Sequence, residues 1–180
     1  PLGSRARREN KIYINTQAWA AISGAAPRER AVRAMDAMRE HLATDCGIRF
    51  LIPPYTGIPE PEDPLVSNGP GLGENGGIFI QANCWAIMAE TFLGRGDRAW
   101  EYYRQVLPPV LAGRVGVERY MNEPYMFSSH VVAEPDPRRG MGNLSWLTGS
   151  VNWMNIVLSQ HILGIRPTLD GLCVSPCIPA

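Results

Sequence analysis

Between positions 27 and 44 the apolar residues Val32, Met35, Met38 and Leu42 recur at three- and four-residue intervals, with Arg30, Arg33, Asp36, Arg39 and Glu40 between them. That spacing predicts an amphipathic helix with one wet face. The segment before it, positions 15–22, is short, rich in Ala and carries Trp19 and Ile22, with Gly24 following as a C-cap. Only a few residues join the two, so they are expected to be antiparallel neighbours. The same pairing returns downstream. Positions 83–93 place Trp85, Met88, Ala89 and Phe92 on one face, and Gly94-Arg95-Gly96-Asp97 makes a turn. Asp97 is the expected N-cap of a second helix with Trp100, Tyr103 and Val106 inward and Arg98, Glu101 and Arg104 outward, stopped by Pro108-Pro109. Positions 146–163 are apolar nearly all round, the pattern of a helix buried on most sides.

Inner apolar helices alternating with outer amphipathic ones predict an all-α chain of helical hairpins in layers, as in a double-layered helical barrel. Two long loops intervene, positions 47–77 and 111–145, and loops of that length commonly carry function. Short strands are expected inside them, around positions 48–52 and 117–121.

Composition narrows the picture. The chain has 180 residues, 45% of them hydrophobic, which suffices for one domain with a core or for part of something larger. Lys plus Arg and Asp plus Glu number 17 each, so the net charge is zero; neither a nucleic acid nor an anionic membrane is the expected partner. The most apolar stretch, positions 146–165, is interrupted by Asn152, Asn155, Gln160 and His161 and does not read as a membrane span. Eighteen Gly and 16 Pro predict many turns. Cys46, Cys84, Cys173 and Cys177 form no CxxC pair and only three His are present, which argues against a zinc site. Without a charged-then-apolar leader pattern, reduced thiols in a cytoplasmic setting are expected. Pro1-Leu2-Gly3-Ser4 reads as a cleavage and cloning scar, leaving residues 5–180 as one partial domain.

Three loop segments set polar residues beside the apolar helices. In Gly69-Pro70-Gly71-Leu72-Gly73-Glu74-Asn75-Gly76-Gly77 the glycines permit close backbone approach to a ligand, but no Lys-Ser or Lys-Thr follows, so it is not a P-loop. In Asn122-Glu123-Pro124-Tyr125 a carboxylate and a ring suit sugar binding: carboxylates accept from hydroxyls and rings cover the apolar sugar face. A loop carboxylate in a structural hydrogen bond is the plainer alternative. Trp146-Leu147-Thr148-Gly149-Ser150 opens the third apolar helix, where free N–H groups could hold an anion against the Thr148 hydroxyl and Gly149 amide. Ordinary N-capping by Ser145 or Thr148 is the alternative there. His130 and His161 read as structural, with His130 the nearer to a site motif. Trp19, Tyr125 and Trp146 sit where ring–sugar stacking is possible.

Six motifs occur in a telling order: Asn15-Thr16-Gln17-Ala18-Trp19 with Ile22-Ser23-Gly24; Glu74-Asn75-Gly76-Gly77-Ile78-Phe79; Gly96-Asp97-Arg98-Ala99-Trp100-Glu101-Tyr102-Tyr103; Glu123-Pro124-Tyr125; Trp146-Leu147-Thr148-Gly149; and Leu163-Gly164-Ile165-Arg166-Pro167. Through nearly its whole length the chain resembles the cellobiose and chitobiose phosphorylase family of inverting glycoside phosphorylases. The resemblance implies part of an (α/α)6-barrel catalytic domain, its second half. It also implies a reaction in which inorganic phosphate attacks the anomeric carbon of a β-linked glucoside while an Asp protonates the leaving oxygen. That is inverting glycosidase chemistry with phosphate in place of water and its base, and no cofactor. By the same resemblance Thr148, Gly149 and the residue at Gln81 face phosphate, while Glu74 and Ser129 face the sugar; Glu123 and Tyr125 join the sugar side on their own chemistry.

The departures are specific. The family's phosphate-contacting His is Gln81 here, which can still donate a hydrogen bond but carries no charge. A frequent Lys is Gly73, and a donor-sugar Gln aligns with Ser129. The family's Asp-Trp-Asn-Asp type motif, which holds the general acid, does not occur in these residues. The expectation is therefore a fragment that binds a β-linked disaccharide and phosphate but does not turn over alone. A second copy or a complementary fragment would cover its inner helices. The β-1,2-glucan transferase branch of the same family and a noncatalytic sugar-binding module are the alternative readings.

Overall fold

The computed structural model describes residues 5–56, 68–146 and 148–180, with Thr148 described by its backbone alone; residues 1–4, read as a scar, lie outside them. A two-residue strand β1 (Ile12–Tyr13) runs straight into helix α1 (Ile14–Ile22). At the far end Ser23 N–H donates to Trp19 O and Gly24 turns the chain at φ +67°, the C-terminal role expected of it. Helix α2 (Arg28–Leu42) follows with Ala31, Met35, Met38 and Leu42 buried, while Val32 is only half-buried. It ends two residues earlier than expected because Ala43–Thr44 turn out as strand β2, pairing with β3 (Gly47–Ile48). Strand β4 (Leu51–Ile52) then returns to β1 in antiparallel register, Ile12 opposite Ile52. The expected strand around positions 48–52 is thus two short ones.

Strand β5 (Ile78–Phe79) leads into α3 (Ile80–Phe92), which starts three residues before the expected Asn83. This helix, not the one after Trp146, is the buried one. Ile80, Ala82, Cys84, Ala86, Ile87 and Ala89 lie on every side of it, because α1, α4 (Gly96–Gln105) and α7 (Thr148–Ile156) all pack against it. Phe92, expected inward, is 48% exposed at its end. Conversely, the segment read as buried on most sides leaves Val151, Asn152 and Asn155 exposed and buries Met154, Val157 and Ile162.

Helix α4 buries Tyr103, and Val106 just past its end, as expected, and Ala99 and Tyr102 besides, whereas Trp100, also expected inward, is only half-buried. Asp97 is not its N-cap: Arg95 holds that position, and Asp97 in the first turn accepts a hydrogen bond from Ala180 N–H at 3.2 Å. Pro108 and Pro109 do more than end a helix, since they open the next one, α5 (Pro108–Val115), where missing N–H groups cost nothing. A strand was expected around positions 117–121. The chain instead winds one turn, α6 (Val117–Tyr120), that buries the Tyr120 ring with its hydroxyl 3.1 Å from Ser128 Oγ, and leaves Val117 in solvent.

Strand β6 (His130–Val131) is the middle of an antiparallel ribbon between β5 and β7 (Gly142–Asn143), with Phe79 opposite His130 and His130 opposite Asn143. Helix α7 widens into a π-helix over Val157–Ile162, and a hairpin of β8 (Ile165–Thr168) and β9 (Gly171–Val174) follows. The described residues therefore form a mostly helical structure with short strand pairs at helix ends. Among them α1, α3 and α7 make an inner row, with α2 and α4 outside it. Buried Glu90 of α3 meets Arg95 Nε at 2.5 Å; Arg95 reaches Asp36 of α2 at 2.7 Å, and Asp36 also pairs with Arg98 of α4. No described helix is long and apolar enough to cross a membrane.

Candidate active site at the ends of the inner helices

Helices α1 and α3 each begin where a two-residue strand, β1 or β5, delivers them. Ile14 N–H at the head of α1 donates to Phe50 O, and Phe50 N–H donates to Gly77 O just ahead of β5. Ile80 N–H at the head of α3 donates to Ser129 O at 3.0 Å, continuing the β5–β6 ladder. Ser129 N–H is satisfied by the carbonyls of Asn143 and Leu144, on the path to α7. The heads of α3 and α7 are thereby brought together: a Cβ added to Gly149 would lie 3.8 Å from Gln81 Oε1. Two of the three residues assigned to phosphate by resemblance are therefore neighbours, each in the first turn of its helix, where unpaired N–H groups and the positive end of the dipole favour an anion. The third, Thr148, is the first residue of α7; its hydroxyl lies outside the described atoms.

The sugar candidates divide. Glu123 accepts a hydrogen bond from Trp146 Nε1 at 2.8 Å, which holds its carboxyl below the usual carboxylate range. Two residues suspected separately are thus one unit, with Trp146 and Leu144 in the left-handed region at φ +66° and +52°. Tyr125 on the same loop is 71% exposed, its ring free to cover a sugar. Ser129 is nearly buried and serves the ribbon with both its backbone groups.

Glu74 lies on the glycine loop. That loop is fastened by Gly71, whose N–H donates to Asn75 O and whose carbonyl accepts from Ala133 N–H. A Cβ on Gly71 would meet Ala133 O at 2.2 Å at φ +87°, so only glycine fits there. The Asn75 amide is buried and pairs with both backbone groups of Tyr55, at 2.8 and 3.0 Å. The carboxylate motif is thereby presented by a pinned loop rather than a loose one.

Sequence reasoning missed what lies beneath the two helix heads. One turn below Gln81 and Gly149 come Trp85 and Trp153, edge to face with centroids 6.1 Å apart, and Trp85 also meets Trp19 of α1 at 5.7 Å. The signal was available as a matching offset of four residues from each phosphate candidate. His130 is buried with Nε2 unpartnered among the described residues, and burial lowers its pKa. His161 lies against Phe92 at the opposite end of the row. All four cysteines are free.

Comparison with known proteins gives the family. The model of the glycosyl hydrolase 94 superfamily catalytic domain matches residues 1–164. The chain belongs to that superfamily. It is 34% identical over 180 residues to an N,N'-diacetylchitobiose phosphorylase of Vibrio proteolyticus, covering 99% of this chain and 22% of that protein. It is also 34% identical over 178 residues to a solabiose phosphorylase of Paenibacillus borealis, covering 99% of this chain and 23% of the relative. A cyclic beta-(1,2)-glucan synthase, NdvB, of Rhizobium meliloti (strain 1021) is 32% identical over 183 residues, all of this chain and 6% of that protein. The chain thus spans less than a quarter of the length of these relatives.

Proposed function

We propose that these residues are the phosphate-holding part of an inverting phosphorylase that cleaves a β-linked, cellobiose-like disaccharide to an α-sugar 1-phosphate and a free sugar. The approach of Gln81 to Gly149 carries this reading, because it sets a neutral donor beside the N-termini of two parallel helices. Inorganic phosphate, the co-substrate, sits there against the Gly149 N–H, with Thr148 as a hydroxyl partner and the Gln81 amide in place of a charged imidazole. A phosphate oxygen bonds to the anomeric carbon as the glycosidic C–O bond breaks, and the leaving oxygen takes a proton from an acid supplied by residues other than these. Glu123 with Trp146, Tyr125, Ser129 and Glu74 line the sugar side. No cofactor enters this chemistry. The likeness to the glucan synthase supports a second reading, transfer among β-1,2-glucans, at the same site.

The test is phosphate release from α-glucose 1-phosphate with glucose, N-acetylglucosamine, gluconate and cellobiose as acceptors, run on the chain and on Thr148→Ala. The expected outcome is no release from either, together with phosphate binding that weakens roughly tenfold in Thr148→Ala through loss of one charge-assisted hydrogen bond. Release by the unaltered chain would mean that the acid lies within it. Equal phosphate affinity in both proteins would remove phosphate from this end of the row.

A further inference from the structure

A cavity of about 470 Å3 opens at the end of α3 and α7 away from Gln81 and Gly149. Thr91 and Phe92 come to it from the last turn of α3, Gln160 and His161 from the π-helical segment, Arg166 from β8 and Ser175 from the chain after β9. From Gln81 to Phe92 is about 16 Å along the α3 axis at 1.5 Å per residue, so this is not the site described above.

Its chemistry is cationic and polar. The side chains lining it include no Asp or Glu. Arg166 makes no ion pair among the described residues, and its Nη2 has only a Cys173 sulfur at 3.9 Å. The negative end of α3 is already served from outside the cavity, because Arg28 Nη2 donates to Leu93 O at 2.9 Å. Helix-end carbonyls therefore do not account for Arg166. The π-helix is the second, independent observation. Six residues with the wider hydrogen-bond pattern are rare, costly and concentrated at functional sites, and these six carry Gln160 and His161 to the cavity wall. Phe92, half out of solvent with His161 tilted against it at 5.6 Å, adds an apolar plate beside Arg166.

We propose that this cavity binds a sugar monophosphate, with Arg166 gripping the phosphoryl oxygens through its planar fork, the Phe92 ring covering the sugar, and Gln160, Thr91 and Ser175 meeting its hydroxyls. The volume is in the range of small-molecule sites and exceeds what a lone phosphate ion fills. His161 reports on occupancy. Burial first and the Arg166 charge second hold its pKa below the usual imidazole value. Of the residues that line the cavity with it, Arg166 from β8 is charged and Cys177 from the tail is titratable, while Thr91 and Phe92 from the last turn of α3 are neither. An anion that neutralises Arg166 raises the His161 pKa, so binding tightens as pH falls.

The experiment follows the His161 ring by NMR through a pH titration of the chain, alone and with α-glucose 1-phosphate, inorganic phosphate or glucose; His161→Asn assigns the signal. The expected result is a raised His161 midpoint with the sugar phosphate, a smaller rise with inorganic phosphate and none with glucose. Arg166→Gln should raise the midpoint without ligand and abolish the response. Phe92→Leu, at an exposed position that leaves the fold intact, should weaken sugar-phosphate binding roughly threefold to tenfold while sparing inorganic phosphate. No shift with α-glucose 1-phosphate overturns the proposal. Equal responses to both anions, or a Phe92→Leu protein indistinguishable from the parent, overturn the assignment to a sugar phosphate. The Gln81 site does not contribute to this readout, so failure there leaves the outcome unchanged.

Discussion

Two asparagines play the same part in different places. Asn83 in α3 is fully buried; its Oδ1 accepts from Ile48 N–H at 2.8 Å while its Nδ2 donates to the carbonyls of Ile48 and Phe79, both at 2.9 Å. Asn75 treats Tyr55 likewise. In each case a primary amide stands in for a strand partner and satisfies backbone groups that would otherwise be buried unpaired. The sequence names Asn75 inside a motif and Asn83 as a helix start, and shows neither role, because the partners lie 20 and 35 residues away respectively and nothing local points to them. Glu123 with Trp146 is a comparable case, two suspects whose pairing only the fold discloses. Replacing Asn83 by Ala strands both backbone groups of Ile48 in the core, and the expected loss is about 2–4 kcal/mol of unfolding free energy. Urea denaturation followed by circular dichroism measures it; a loss within experimental error would show that water takes over both groups.

Among the elements, the amphipathic helices were legible and the apolar ones were not ranked correctly. Helix α2 carries its stripe in the sequence because one face meets solvent, and the period of the pattern survives. Helix α3 and the segment after Trp146 are both apolar, and periodicity cannot say which has neighbours on all sides; that depends on α1, α4 and α7 gathering around α3. The turn α6 was misread as a strand because Val117 and Tyr120 are β-favouring residues whose burial, not propensity, decides their conformation. What joins the layers is the Glu90–Arg95–Asp36–Arg98 network, with Glu90 wholly buried and its pKa raised by burial against the pull of Arg95. A carboxyl raised in the folded state contributes most stability below its unfolded value and loses it as pH rises through the folded one. Arg95→Met takes away the neighbour that counters burial, so the loss extends to higher pH. The expected cost is about 3–5 kcal/mol near neutrality, smaller at about pH 4 than at about pH 8. Paired denaturation curves at those two values decide it, and a cost independent of pH would mean that Glu90 is not charged in the parent.

Across the whole molecule, the row α1, α3, α7 couples its interior to the helix heads at one end. Trp19, Trp85 and Trp153 form an edge-to-face chain through the row, and the last two sit one turn below Gln81 and Gly149. Helices in close contact at one turn have little freedom to separate at the next, so the ring pair fixes the spacing of the N–H groups proposed to hold phosphate. The six motifs located both helix heads without this support, since a tryptophan within an apolar run reads simply as core. Trp153→Leu keeps an apolar side chain on α7 and removes the ring contact, so it separates the spacing from the fold. Far-UV circular dichroism should stay unchanged while phosphate affinity, measured by calorimetric titration, falls roughly tenfold, in line with an aromatic pair contributing about 0.5–1.5 kcal/mol beyond its buried area. Binding of a sugar at Tyr125 and Glu123, which hang on a loop rather than on α7, should change much less. If both affinities fell together the ring pair would be supporting the row in general, and if neither fell the helix heads would be set by the β5–β6–β7 ribbon that delivers them.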